Sequence, residues 1–255
     1  MADSPLVTFT RISPNRSSPR NHAIDRVTIH CYVGQVTAER GCSGARFTTY
    51  DPVGGASCNY VVGCDGSIGL CVPESDRAWC SSSPSNDSRA ITIETASDTT
   101  YPYAVTNEAY EALLALCTDI CRRHGKQRLV WLGDKDKTLA YQPAVDEMVL
   151  TVHRWFAAKA CPGQYLLERQ GEIAEKVTRR LQKEVDTMTY EQWKEYMARY
   201  RKELAAQNAT MPDLVADAVA LGISADGARP RDLMTREEGM VMATAAVRAA
   251  KKDPT

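Results

Sequence analysis

Three side chains of the kinds that hold transition metals are spread along this 255-residue chain: His30, His153 and Cys161. Imidazole nitrogen and thiolate sulfur are preferred donors for zinc, and a catalytic zinc takes three protein ligands and keeps a fourth position for water. A thiolate in such a set is deprotonated by the metal itself. His30 lies in DRVTIHCYV, His153 at the end of EMVLTVH and Cys161 in AAKACPG, so two of the three are eight apart and the other is far away in sequence. On spacing alone a strand histidine is more often structural and a lone cysteine more often buried and inert. The three are therefore a candidate set and not yet a site. Glu94, in RAITIET, is a carboxylate of the type used in general-base chemistry, and Lys159 is a cation two residues before Cys161. Read alone, they are an exposed strand carboxylate and a solvated loop lysine.

The elements that must position these residues can be read from periodicity. In residues 25–33 Val27, Ile29, Cys31 and Val33 share one face and Thr28, His30 and Tyr32 the other, which predicts a strand whose polar face carries the histidine. SCNYVVG and SIGLCV read as two strands joined by a tight Asp65-Gly66 turn, with Cys58 and Tyr60 on one face. Residues 89–95 form another alternating strand, Ile91 and Ile93 against Thr92 and Glu94. Residues 106–124 predict an amphipathic helix with Thr106 as N-cap, Gly125 as stop and Leu113, Leu116, Cys117 and Ile120 as its buried stripe. Second and third helices are predicted over 143–156, with His153 following its apolar face, and over 165–184, with Ile173, Val177 and Leu181 on one face. A boundary follows near 185–189. Beyond it Tyr190, Trp193, Met197, Tyr200 and Leu204 recur at helical spacing, with Thr189 and Gln192 as a capping box. After a break at 207–212, residues 213–252 read as two short helices around GISADGARP. The expected organisation is an α/β domain over 1–184, an amphipathic helix and linker over 185–210, and a small helical module over 211–255.

Composition narrows the class. The net charge of −1, with 25 % charged residues, gives no general reason to expect a nucleic-acid partner. No apolar run is long enough for a membrane span, and MADSPLVTFTRISPNRSSPRN lacks a signal-peptide core. The nine cysteines are odd in number and lack CxxC spacing, so the expectation is a chain made in a reducing cytoplasm whose thiols are mostly small buried hydrophobes. A redox-sensing α/β protein would need an exposed, low-pKa cysteine pair, and no such spacing occurs.

VTIHCYVG, then SCNYVVGCDGSIGLCVPESDRAWCSSS, then SNDSRAITIET, and finally VHRWFAAKACPG occur in that order. Together they resemble the zinc-dependent N-acetylmuramoyl-L-alanine amidases of the phage-lysin and peptidoglycan-recognition-protein family, over about residues 7–184. The resemblance implies a mixed central β-sheet flanked by helices, with the site in a cleft on one face. It implies Zn2+ on His30, His153 and Cys161, Glu94 as general base and Lys159 beside the metal. The substrate implied is bacterial peptidoglycan, cut between N-acetylmuramic acid and L-alanine. One departure is visible: where some lytic members carry a catalytic tyrosine the simplest alignment puts Cys58, with Tyr60 two residues on.

A long polar substrate calls for an open, hydrogen-bonding cleft. Asn59, Tyr60, Arg77, Trp79, Ser82, Asn86 and Arg89 are its candidate lining, Trp79 by stacking, and His22 is a structural or cleft-rim residue. In AVALGI, the DG turn and MTREE the tail is similar to half of a surface-layer-homology repeat, without the usual aromatics around the turn. That suggests wall binding, or a homo-oligomer through the C-terminal helices. The expected deployment is an endolysin made in the cytoplasm without a signal peptide and reaching the wall after phage-mediated membrane permeabilisation. The rivals are a non-catalytic peptidoglycan-binding module, which would commonly lose a zinc ligand, and an intracellular amidase that recycles wall fragments.

Overall fold

The structure is a computed structural model that describes residues 3–186. The linker helix expected over 185–210 (but for its first two residues) and the module expected over 211–255 lie outside the described residues, as do the contacts proposed for them. The strands are β1 (Phe9–Thr10), β2 (Arg16–Ser17), β3 (Arg26–Cys31), β4 (Tyr60–Val62), β5 (Ile68–Leu70), β6 (Arg77–Ala78), β7 (Ala90–Thr95), β8 (Arg128–Val130) and β9 (Glu147–Val152). The helices are α1 (Ala38–Cys42), α2 (Ala45–Thr48), α3 (Pro84–Arg89), α4 (Asn107–Arg123), α5 (Lys135–Ala140) and α6 (Gly163–Asp186), with a 3-10 turn at His153–Trp155 before α6. Seven strands form one mixed sheet in the order β1-β5-β4-β7-β3-β9-β8, with only β4 and β5 antiparallel; β2 and β6 form a separate two-stranded ribbon. The expected mixed sheet flanked by helices is the observed architecture.

The sheet's period-two pattern divides its side chains between two environments. Val27, Ile29, Tyr60, Val62, Ile91, Ile93, Met148 and Leu150 enter the main core, where α4 contributes Leu113, Leu114, Leu116, Cys117 and Ile120, and α6 contributes Leu166, Ile173, Val177 and Leu181. Thr106 caps α4 through its hydroxyl, which accepts from the Ala109 N–H, and Gly125 just past the end takes φ +66, a left-handed conformation that costs a glycine little. The Asp65-Gly66 turn between β4 and β5 uses the same device, with Gly66 at φ +81. A smaller cluster on the other face joins Cys42, Phe47, Cys58, Val61 and Cys71.

Two expectations are corrected. The stretch predicted as a helix over 143–156 is β9 followed by the 3-10 turn. All six residues of β9 are buried, since it lies between β3 and β8 with both faces covered. A strand buried on both faces loses its alternation and reads as a continuous apolar run, which periodicity cannot tell from a buried helix. Secondly, Tyr60 and Cys58 do not share a face: Tyr60 enters the main core and Cys58 the smaller cluster. Regular pairing starts only at Tyr60, while the Asn59 carbonyl accepts from both the Cys71 and Val72 N–H groups, so alternation does not extend back to Cys58.

Tyr60 instead ends in a buried charge network. Its hydroxyl donates to Glu74 Oε1 at 2.6 Å, and Glu74 also takes hydrogen bonds from Arg123 and pairs with His124 Nε2 at 2.8 Å. Burial by itself pushes the Glu74 carboxyl up, but hydrogen bonds from His124, Arg123 and Tyr60 outweigh it and bring its pKa down to about 2. A carboxylate whose pKa falls on folding stabilises the native state fully above its unfolded value, 4.5, and loses that contribution as the pH drops towards 2. The shift corresponds to about 3 kcal/mol. In thermal melts across that window, Glu74→Gln is expected to be less stable than wild type at neutral pH and to decline less steeply with acid; parallel curves would remove Glu74 as the source.

Candidate metal centre and cleft

Three adjacent parallel strands, in the order β7-β3-β9, bring the chemistry together at their carboxyl ends. His30 is paired in register with Glu94, and Ile29 with Val152, so His153 follows directly beside His30. The loop after the 3-10 turn returns Cys161 to the same place: Arg154 N donates to the Cys161 carbonyl at 3.2 Å and its guanidinium to the Ala160 carbonyl at 2.7 Å. One donor atom each from His30, His153 and Cys161 lies within 4.8 Å of the others. His30 Nδ1 is 3.3 Å from Cys161 Sγ, and the two imidazole rings meet edge-on with centroids 5.0 Å apart.

Charge and burial suit this set for a cation. His30 has no exposed surface, and burial, then His153, brings its pKa down to about 3, so the ring is neutral with a lone pair to give. Burial, then the Lys159 ammonium, lowers His153 as well. The Cys161 thiol is raised by its hydrogen bond with Cys31, then by burial and by Glu94. Glu94 is raised to about 8 by burial, then by Cys31, with the Cys80 hydrogen bond and Arg46 in opposition. Its Oε1 is 3.9 Å from His30 Nδ1, and its buried Oε2 has no hydrogen-bond partner among the described residues. A buried carboxylate oxygen left unpaired is costly and needs a reason. A cation between the imidazoles and thiolate would oppose every one of these shifts except the lowering of the histidines, which leaves them ready to coordinate.

The centre opens into a cleft of about 1060 Å³, with His153, Lys159, Cys161 and Glu94 among its lining residues. Of the expected substrate-binding residues Arg77, Trp79 and Ser82 line it. The indole of Trp79 donates to Ser17 Oγ at 3.0 Å and its ring lies 6.4 Å from the exposed Tyr50 ring. Arg77 donates to the same Ser17 hydroxyl at 2.6 Å. Ser82 Oγ sits 3.2 Å from His153 Nε2. Asn59, Tyr60 and Asn86 are buried away from the cleft, a correction to their expected place. Asn59 is turned inward, donating to the Val72 and Pro73 carbonyls and accepting from Thr92. Asn86 bridges the buried Thr28, Thr151 and Arg26 beneath α3. Arg89 pairs with Asp25, and the exposed His22 lies against its neighbour's carbonyl. Cys80, Tyr32 and Val33, which periodicity did not single out for chemistry, are in the lining.

Backbone strain gathers here too. The three non-glycine residues with positive φ among those described, Val33, Ser82 and Tyr103, each near +60°, all line the cleft. Such conformations cost about 1–3 kcal/mol each and cluster at functional sites.

A search among curated proteins gives no match. Among solved structures the chain is similar to PlyL, with 15 % identity, TM-score 0.43, and coverage of 66 % of this chain and 95 % of that one. It is similar to a selenomethionine derivative of AmpD at 20 % identity, TM-score 0.44, covering 71 % and 98 %. It is also similar to the N-acetylmuramoyl-L-alanine amidase LysC from Clostridium intestinale URNW, at 18 % identity, TM-score 0.40, covering 66 % and 97 %. The family model for N-acetylmuramoyl-L-alanine amidase matches residues 20–164, more than half of the chain and the whole stretch from β3 through Cys161, and the chain belongs to that family.

Proposed function

We propose that this protein is a zinc-dependent N-acetylmuramoyl-L-alanine amidase that hydrolyses the bond between the lactyl carbonyl of N-acetylmuramic acid and the L-alanine of the stem peptide. The observation that supports it is the meeting of His30, His153, Cys161 and Glu94 at the ends of three neighbouring strands, under an open cleft. Zinc fits the donors. With Zn–N and Zn–S distances of about 2.0–2.3 Å, tetrahedral ligand atoms stand roughly 3.5 Å apart. The His30–Cys161 separation is 3.3 Å. Two neutral imidazoles and one thiolate would leave the centre with a net positive charge, as an electrophile requires.

When bound, zinc supplies Lewis-acid polarisation and lowers the pKa of water towards about 7. The chain's own residues supply the rest. Glu94 accepts the proton of the attacking water and returns it to the leaving alanine nitrogen. Lys159, in the cleft lining, places an ammonium where it can stabilise the developing oxyanion. Arg77 and Trp79 offer a hydrogen-bonding edge and a stacking face to the glycan–peptide substrate. The non-catalytic alternative is disfavoured because the base and all three candidate ligands are in place together.

As to deployment, we propose a phage-type endolysin. The support is in sequence alone: residues 187–255 extend the chain past the family match and contain the pieces similar to a surface-layer-homology repeat. Among the described residues no helix is long and apolar enough to cross a membrane.

The test is digestion of purified sacculi by the zinc-loaded protein, with and without chelator, followed by mass spectrometry. Chelator-sensitive release of stem peptides with a free alanine amine from unbroken glycan supports both proposals. Cleavage of soluble wall fragments but not of sacculi keeps the amidase and overturns the endolysin. Zinc uptake with neither substrate cut overturns catalysis.

A further inference from the structure

His30 has no exposed surface, so both of its ring nitrogens must find partners inside the fold. Cys161 Sγ lies 3.3 Å from Nδ1, and on the other side Cys80 Sγ lies 3.4 Å from Nε2. A neutral imidazole that gives its Nδ1 lone pair to a cation carries its hydrogen on Nε2. Cys80 is therefore where that N–H is aimed. The same sulfur is 3.9 Å from Glu94 Oε1, with its S–H as the donor. Cys80 itself is held in place: the Asp87 carboxylate of α3 accepts from the backbone N–H of Cys80 at 3.0 Å and of Ser81 at 3.1 Å, and from the Ser81 hydroxyl at 2.5 Å.

We propose that Cys80 is a positioning residue of the metal centre, its sulfur accepting the Nε2–H of His30 while its S–H is directed to Glu94. One thiol thus sets the tautomer and tilt of a metal ligand and the orientation of the general base, resting on the zinc-amidase reading above. The alternative use of the same atoms is a second cation site, since His30, Cys80 and Glu94 also offer donors within 4.8 Å of one another. Geometry argues against it. Cys80 stands at Nε2, whereas the closest approach of Glu94 is to Nδ1, at 3.9 Å. A cation on either ring lone pair would be well placed for one of them and not the other, while a hydrogen-bond chain through the sulfur uses both contacts as they stand. The partner groups of metal-ligating histidines typically contribute 10–100-fold to metal affinity.

The experiment compares the full chain with Cys80→Ser, Cys80→Val and Cys80→Ala. Zinc affinity is read by competition with a chromogenic chelator, and the thermal melt of each metal-free protein serves as a control for folding. Val and Ala should bind zinc about 10–100-fold more weakly, and Ser, which restores an acceptor and a donor, should recover most of the loss. With cobalt in place of zinc, the thiolate-to-metal charge-transfer band of wild type should persist at full intensity in Cys80→Ser, because Cys161 supplies it. Wild-type affinity in both Val and Ala, or no recovery in Ser, would overturn the proposal and leave Cys80 as packing. A band reduced by half in Ser would overturn it by making Cys80 a direct ligand. Wild type that takes up no zinc would overturn the underlying zinc reading as well, and it shows before any variant is compared.

Discussion

Replacing Glu94 by glutamine is expected to lower kcat by about 10²–10⁴-fold, the usual contribution of a positioned general base, while zinc content and the melting temperature of the zinc-loaded protein stay near wild type. Glutamine keeps the size of the side chain and a carbonyl oxygen, so the cleft and its hydrogen bond from Cys80 are preserved. What it removes is the ability to take a proton. The register pairing of His30 with Glu94 sets Oε1 3.9 Å from the ring nitrogen, farther than the 3.3 Å of Cys161, and Glu94 is not part of the His30–His153–Cys161 set. The substitution should therefore separate chemistry from metal binding. Rates on purified wall and metal analysis of the same samples check it. A loss below about tenfold would take the base role from Glu94, and loss of zinc together with activity would make it a ligand.

The sequence shows this site unevenly, for physical reasons that differ by residue. The strands carrying His30 and Glu94 announce themselves because their faces differ: Ile29 and Ile93 enter the main core while His30 and Glu94 turn to the opposite side. The helix at α4 is equally plain, with a threonine cap, an apolar stripe and a glycine stop. The strand ahead of His153 is not, because β9 is covered on both faces: Met148, Val149 and Leu150 form an unbroken apolar run, and Thr151 is buried against Thr28 and Asn86 instead of marking a solvent face. The helix expected there put His153 on the wrong element, while the structure brings it beside His30 and Cys161. The cleft lining was the least legible part. Asn59, Asn86, Arg77 and Trp79 are all polar or amphipathic residues near the right strands. Whether such a side chain faces substrate or completes a buried hydrogen-bond network depends on partners far away in sequence. Asn86 meets Thr28 and Thr151, 58 and 65 residues away, and no local pattern records that. Cys80 escaped notice in the same way, as one of nine cysteines, 50 residues from the imidazole it touches.

His153→Ala is expected to reduce zinc affinity by at least about 10²-fold and to abolish wall cleavage at zinc levels that saturate wild type. Zinc bound to protein donors is held by roughly 10–16 kcal/mol in well-studied small sites, and shared over three ligands that is about 3–5 kcal/mol each. His153 is the informative ligand to remove. His30 is wholly buried at the centre of the sheet, so its truncation would mix a folding defect with a binding one, whereas His153 is only half-buried and sits past the end of β9. Cys161 is less clean again, because its thiol is tied to Cys31 as well. The metal-free His153→Ala protein should melt close to metal-free wild type, while added zinc should raise the wild-type melting temperature and leave the variant nearly unmoved. If zinc stabilises both equally, the metal is held elsewhere. If the variant loses zinc yet still cuts wall, hydrolysis runs without it and the chemistry must be sought in Glu94 and Lys159 alone. Either result would overturn the proposed mechanism, which needs the second imidazole both to hold the cation and to leave Glu94 free for the proton.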